Sequence, residues 1–127
     1  MKTTWYKSGA KQLESHYENG EQEGLETIWL ESGEKKSATQ YEDGDLAGLA
    51  TTWYKSGENL SEVRFVNGKQ EGLKTTWYKS GAKASERYFI NGKQEGPETW
   101  WYESGAKLKE LHFENGEETI ERNFYKS

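Results

Sequence analysis

Short runs rich in threonine and aromatic residues recur along this chain, separated by polar corners that carry glycine. One kind of run is "GLKTTWY" (72–78), with siblings "GLETIWL" and "GLATTWY"; the other is "SERYFI" (85–90), with "SEVRFV" at 61–66. β-Branched and aromatic residues favour a pleated, half-buried surface. The corners read "KSG" or "ESG" on one side and "NG" or "DG" on the other, which is hairpin punctuation. No segment sustains a 3.6-residue period, and glycine recurs too often for helix. The pattern predicts an all-β fold: an elongated, single-layer antiparallel β-meander of stacked hairpins, with about ten strands.

The pattern is periodic. Tryptophan stands at 5, 29, 53, 77 and 101, and three glycine series follow at the same 24-residue step: 9–105, 20–116 and 24–96. A fixed period in this range marks a repeat array. The expected organisation is a single domain, 1–127, of five units at approximately 1–24, 25–48, 49–72, 73–96 and 97–120, with a terminal partial unit at 121–127. From Gly116 onward "GEETIERNFYKS" fits the repeat only after one deletion, which puts Phe124 in the tryptophan slot. A degenerate terminal unit caps a repeat array or marks a shortened one; both readings stay open.

Face assignment follows from turn length. With two-residue loops throughout, the tryptophans and the second aromatic series (Tyr17, Tyr41, Phe65, Phe89, Phe113) face opposite sides. With three-residue loops ending in a left-handed glycine they share one side, with Leu25, Leu49, Leu73 and the threonines at 27, 51, 75 and 99. A one-residue slip exchanges faces, so burial should select the register that unites the apolar set. Both corner types are therefore expected to be type I turns with a glycine bulge. Glu14, Glu62, Glu86 and Glu110 would then line the opposite, charged face. The glycine at 24, 48, 72 and 96 falls inside a strand, where it permits either a bend or close cover of bare backbone. Equivalent tryptophans sit two strands apart, ~9.6 Å, too far for direct ring pairing.

Composition narrows the function. Hydrophobic residues are 31% of the chain and aromatics 14%, so the apolar surface is mainly aromatic. Net charge is −5, which repels nucleic acid and gives no basic patch for an anionic membrane surface. There is no cysteine, hence no disulfide framework and no thiolate chemistry. The N-terminal "MKTTWYKSG" has no apolar signal-peptide core, which favours the cytoplasm, with export left open for a longer chain.

No catalytic constellation emerges, and no cofactor or metal is expected. His16 and His112 share one repeat phase four units apart, ~38 Å by strand spacing. The recurrent glutamates lie ~10 Å apart across two strands, beyond a carboxylate dyad. Each "GKQEG" leads into a strand rather than a helix N-terminus, so it cradles no phosphate. What remains is the aromatic ladder. Trp29, Trp53 and Trp77 are candidate contacts on the apolar face, and Tyr54, Tyr78, Trp100 and Tyr102 are expected outward-facing contacts on the more polar face. Such rings either pack a thin sheet together or stay exposed for a partner protein. Open sheet edges offer strand addition, and a homodimer could form through an edge or the apolar face.

The stretch "YFINGKQEGPETWWYESG" (88–105) resembles the MORN repeat, with its aromatic–x–x–Gly–Lys–x–x–Gly spacing, and the likeness extends from Trp5 to Phe124. It departs where the typical repeat has a further glycine, a slot that holds Glu26, Ala50, Lys74 and Glu98 here. The 24-residue period and "WYKSG" resemble the bacterial variant. That resemblance implies a sheet of stacked hairpins and, by fold-level analogy, the antitoxin component of a toxin–antitoxin pair. The leading expectation is a non-enzymatic protein–protein interaction or scaffold module, such as an antitoxin neutralising a protein toxin. The alternatives are a carbohydrate- or cell-wall-binding aromatic repeat protein and a purely structural spacer.

Overall fold

The structure, a computed structural model, describes residues 1–124. Every regular element among them is a strand: β1 (Lys2–Trp5), β2 (Lys11–Ser15), β3 (Tyr17–Glu18), β4 (Glu21–Gln22), β5 (Gly24–Trp29), β6 (Lys35–Glu42), β7 (Asp45–Trp53), β8 (Asn59–Val66), β9 (Lys69–Gln70), β10 (Gly72–Trp77), β11 (Lys83–Ile90), β12 (Lys93–Trp101), β13 (Lys107–Glu114) and β14 (Glu117–Asn123). Twelve form one antiparallel sheet, eleven of them in chain order with β9 off that path and paired only to β8, and β3 pairs with β4 as a small separate ladder. The chain is thus the predicted all-β meander of stacked hairpins.

The two corners differ. At the "KSG" corner, Gly81 N donates to Tyr78 O at 2.9 Å, Tyr78 N donates to Ala82 O at 2.8 Å, and Gly81 has φ +96°. This is the expected three-residue loop with a left-handed glycine. The "NG" corner corrects the sequence reading. Ile90 pairs directly with Lys93, and Asn91 (φ 55°) and Gly92 (φ 85°) are both left-handed. That is a two-residue type I′ turn, whose twist matches the strands it joins, and Asn or Asp is the side chain that tolerates its first position.

A second correction lies beside each "KSG" corner. Thr76 faces Ser85 and Trp77 faces Lys83, so Ala84 has no opposite number. Gln12, Lys36, Leu60 and Leu108 are extra residues in the same way. One extra residue exchanges the faces of everything beyond it. Gly72, not Glu71, therefore pairs with Phe89, and it lies at odd separation from Trp77. Trp5, Trp29, Trp53, Trp77 and Trp101 occupy one face, the indole face. Tyr41, Phe65, Phe89 and Phe113 occupy the other, the phenyl face. Nor do the glutamates have a face to themselves. Thr3, Glu14, Thr27, Ala38, Thr51, Glu62, Thr75, Glu86, Thr99 and Glu110 form one cross-strand row on the indole face. Leu25, Leu49 and Leu73 flank that row, also on the indole face.

The strand glycine is a bend. Gly72 has φ +85°, and a Cβ built on it meets nothing within 4 Å. The dihedral, not lack of room, selects glycine there. Around the equivalent Gly96 the pairing slips by two residues, from Phe89–Gln94 to Arg87–Glu98. An even slip preserves the faces.

Burial is thin and sits largely on the phenyl face, where Val63 is 8% exposed and Ser85 only 1%. Thr76 and Ser85 share a cross-strand hydroxyl contact at 2.5 Å, repeated by Thr52 and Ser61. Units are stitched together by backbone: Gly44, Gly68, Gly92 and Gly116 each donate N–H to a carbonyl of the preceding unit, Gln22, Leu46, Gln70 and Gln94, at 2.8–2.9 Å.

Candidate functional site

The indole face is assembled from three adjacent rows: tryptophans beside the "KSG" corners, the Thr/Glu row, and leucines toward the strand glycines. Thr27 and Thr75 are buried beneath their neighbours. Trp29, Trp53, Trp77 and Trp101 are half-buried, and Trp5 is exposed. Leu25, Leu49 and Leu73 remain 36–40% exposed, so this face carries a strip of accessible apolar side chains, with Gln40 and Arg64 between them.

Cations decorate the strip. Lys11 Nζ lies 2.8 Å from Glu14 Oε2 and 5.7 Å from the centre of the Trp29 ring. Lys83 pairs with Glu86 at 2.5 Å and Lys107 with Glu110 at 3.0 Å. Lys35 sits 5.9 Å above the Trp53 ring. At exposed positions such ion pairs are weak and screened by salt, and each cation–π contact contributes ~0.5–1 kcal/mol. The Lys11 hydrogen bond lowers the Glu14 pKa.

The tyrosines expected to face outward are anchored instead. Tyr54 Oη donates to Trp77 O at 2.7 Å and Tyr78 Oη to Trp101 O at 2.5 Å; Tyr6 does the same to Trp29 O at 2.7 Å. Each hydroxyl spans to the tryptophan strand of the next unit, and the rings are half-buried. This corrects the sequence reading, which could not see a backbone acceptor 23 residues away. Tyr102 is also half-buried.

Trp100 lies on the phenyl face, between Ser85 and Lys109 in the register. Its Nε1 donates to Glu98 Oε2 at 2.5 Å, with Arg87 5.4 Å and Lys109 5.9 Å from the ring centre. Glu98 is 7% exposed, accepts a further hydrogen bond from Gln94 and lies 3.7 Å from Arg87. Trp100 thus closes a polar network rather than offering a free ring. Next to that network, burial and then the Arg87 charge lower the Lys74 pKa. Across the described residues the structure keeps Trp29, Trp53 and Trp77 together on one accessible face. It separates them from Tyr54, Tyr78 and Trp100.

A second device escaped the sequence reading. The glutamate of "QEG" caps the next "NG" corner: Asp43 N donates to Glu23 at 2.8 Å, Asn91 N to Glu71 at 2.7 Å and Asn115 N to Glu95 at 2.6 Å. The signal was the shared phase of Glu23, Glu71 and Glu95. Among the described residues no three His, Cys, Asp or Glu side chains could hold a metal ion, and no helix is long and apolar enough to cross a membrane.

The sequence profile of the MORN repeat variant matches residues 94–115. Those residues are a MORN repeat variant. The MORN segment contains the bent Gly96, the Glu98–Trp100 network, Trp101 and the "ESG" corner. No curated protein matches the chain. Among solved structures, a chain in "Crystal structure of GtfA/B complex bound to UDP and GlcNAc" is similar, with 13% identity and a TM-score of 0.43. The match covers 88% of this chain and 23% of that one.

Proposed function

We propose that this MORN-type chain is a non-enzymatic protein-interaction module that presents its indole face to a basic partner protein. The observation that carries the reading is the accessible strip of tryptophan and leucine on one side of a single-layer sheet. No second layer covers it among the described residues, and large exposed apolar strips mark partner sites. Tryptophan is the residue type most enriched at binding hot spots. The net charge of −5 suits a basic partner and speeds encounter with it. The finer form of the proposal is an antitoxin that covers a protein toxin, which rests on the likeness to the bacterial repeat variant.

The test is retention of proteins by the immobilised chain at physiological salt, beside a Trp53→Ala/Leu49→Ser variant shown by circular dichroism to keep its sheet. A basic protein should be retained by the wild type and lost with the variant. Equal retention by both, or a glycan array bound where no protein is retained, would overturn the proposal.

A further inference from the structure

The repeat carries its own template for the group it docks. In the first unit an ammonium, Lys11, sits between a carboxylate, Glu14 at 2.8 Å, and an indole, Trp29 at 5.7 Å. The same three phases recur along the indole face. The ammonium slot holds Lys11, Lys35, Lys83 and Lys107, but Asn59 in the third unit. The carboxylate slot holds Glu14, Glu62, Glu86 and Glu110, with Ala38 in the second unit. Lys35, without a carboxylate in phase, rests 5.9 Å above Trp53, while Lys83 pairs with Glu86 and is over no ring among the described residues.

The third unit is the converse case. Glu62 and Trp77 are in place, in the register that Glu14 and Trp29 have: Glu62 faces Thr75, two residues before Trp77, as Glu14 faces Thr27, two residues before Trp29. Asn59 is exposed and faces Trp53, where the template has a lysine. Among the described residues Glu62 has no ion pair, and no cation lies over Trp77. The gap lies near the middle of the strip, with Leu49 and Leu73 exposed to either side.

We propose that Glu62 and Trp77 form the docking point for a lysine side chain of a partner protein, inserted beside Asn59 where the other units use their own lysine. The inference rests on the interaction reading of the indole face and gives it a recognition chemistry. A carboxylate and an indole facing one opening are complementary to an ammonium on an alkyl stem: the charge meets Glu62, and the stem lies along Trp77 and its leucine neighbours. Asparagine in the ammonium slot is neutral and short, so it leaves both groups available.

The test follows the six indole N–H signals of the isotope-labelled full chain by NMR while N-acetyl-lysine-N-methylamide is added. The uncharged N-acetyl-norleucine-N-methylamide is the control. The expected result is a saturable shift of the Trp77 signal with the lysine probe only, weakened at least ~3-fold by Glu62→Gln, one lost charge-assisted contact. It should vanish in Asn59→Lys, where the chain fills its own slot. A Trp77 signal unmoved by the lysine probe, or moved equally by norleucine or in Asn59→Lys, overturns the proposal. The two readings fail separately. A protein partner indifferent to Asn59→Lys removes the lysine site and leaves the interaction module. A lysine probe that binds at Trp77 in a chain retaining no protein does the reverse.

Discussion

At the residue scale, stability comes from small ties repeated at fixed phase. The Tyr78 hydroxyl is one: it satisfies Trp101 O two strands away. Tyr78→Phe removes the donor and little else. It should cost about 1 kcal/mol, a typical net hydrogen bond, and chemical denaturation should report this as a lower midpoint at unchanged slope. Glutamates capping the "NG" corners are another tie. Ala47 occupies the slot of Glu23, Glu71 and Glu95, and the Asn67 corner has no such cap among the described residues. Ala47→Glu should therefore stabilise the chain by roughly 0.5–1.5 kcal/mol, read as a higher denaturation midpoint; a lower midpoint would contradict the capping role.

At the element scale, the hairpin with its strand bend is the unit that matters. Gly72 at φ +85° bends the strand at its pairing with Phe89. Gly72→Ala puts a Cβ into left-handed backbone and should cost about 1–2 kcal/mol, although nothing crowds the added carbon; thermal unfolding should show the loss. The hairpins themselves were legible in the sequence, because "KSG", "NG" and the Thr/Trp/Tyr runs each carry a local mechanism. The faces were not. They turn on one unpaired residue per hairpin, Ala84 or its equivalents, and no composition or period marks a bulge. Glu98 and Trp100 stand two apart on one strand and share a face by alternation; what was unreadable is Arg87 beside them, a cross-strand pairing that follows from the slip at Gly96.

At the scale of the whole molecule, the array has little interior, and neighbouring units hold each other through nearest-neighbour contacts, as repeat proteins do. The second unit has Leu30 in the tyrosine slot and Ala47 in the capping slot, so it lacks both side-chain ties to the third. That junction should open first, and hydrogen exchange there should be faster than between the third and fourth units, where Tyr54 and Glu71 are in place. Function follows from architecture at this scale too. A single layer with indoles on one side and phenyl rings on the other leaves two different faces, and the indole face carries both the apolar strip and the Glu62 gap.

All of this depends on the extra residue beside each "KSG" corner. Cross-strand nuclear Overhauser contacts in the Trp77–Phe89 hairpin test it most directly. Ser85 should lie opposite Thr76 and Phe89 opposite Gly72. Contacts that place Ser85 opposite Thr75 and Phe89 opposite Glu71 would return both aromatic series to one face and contradict this register.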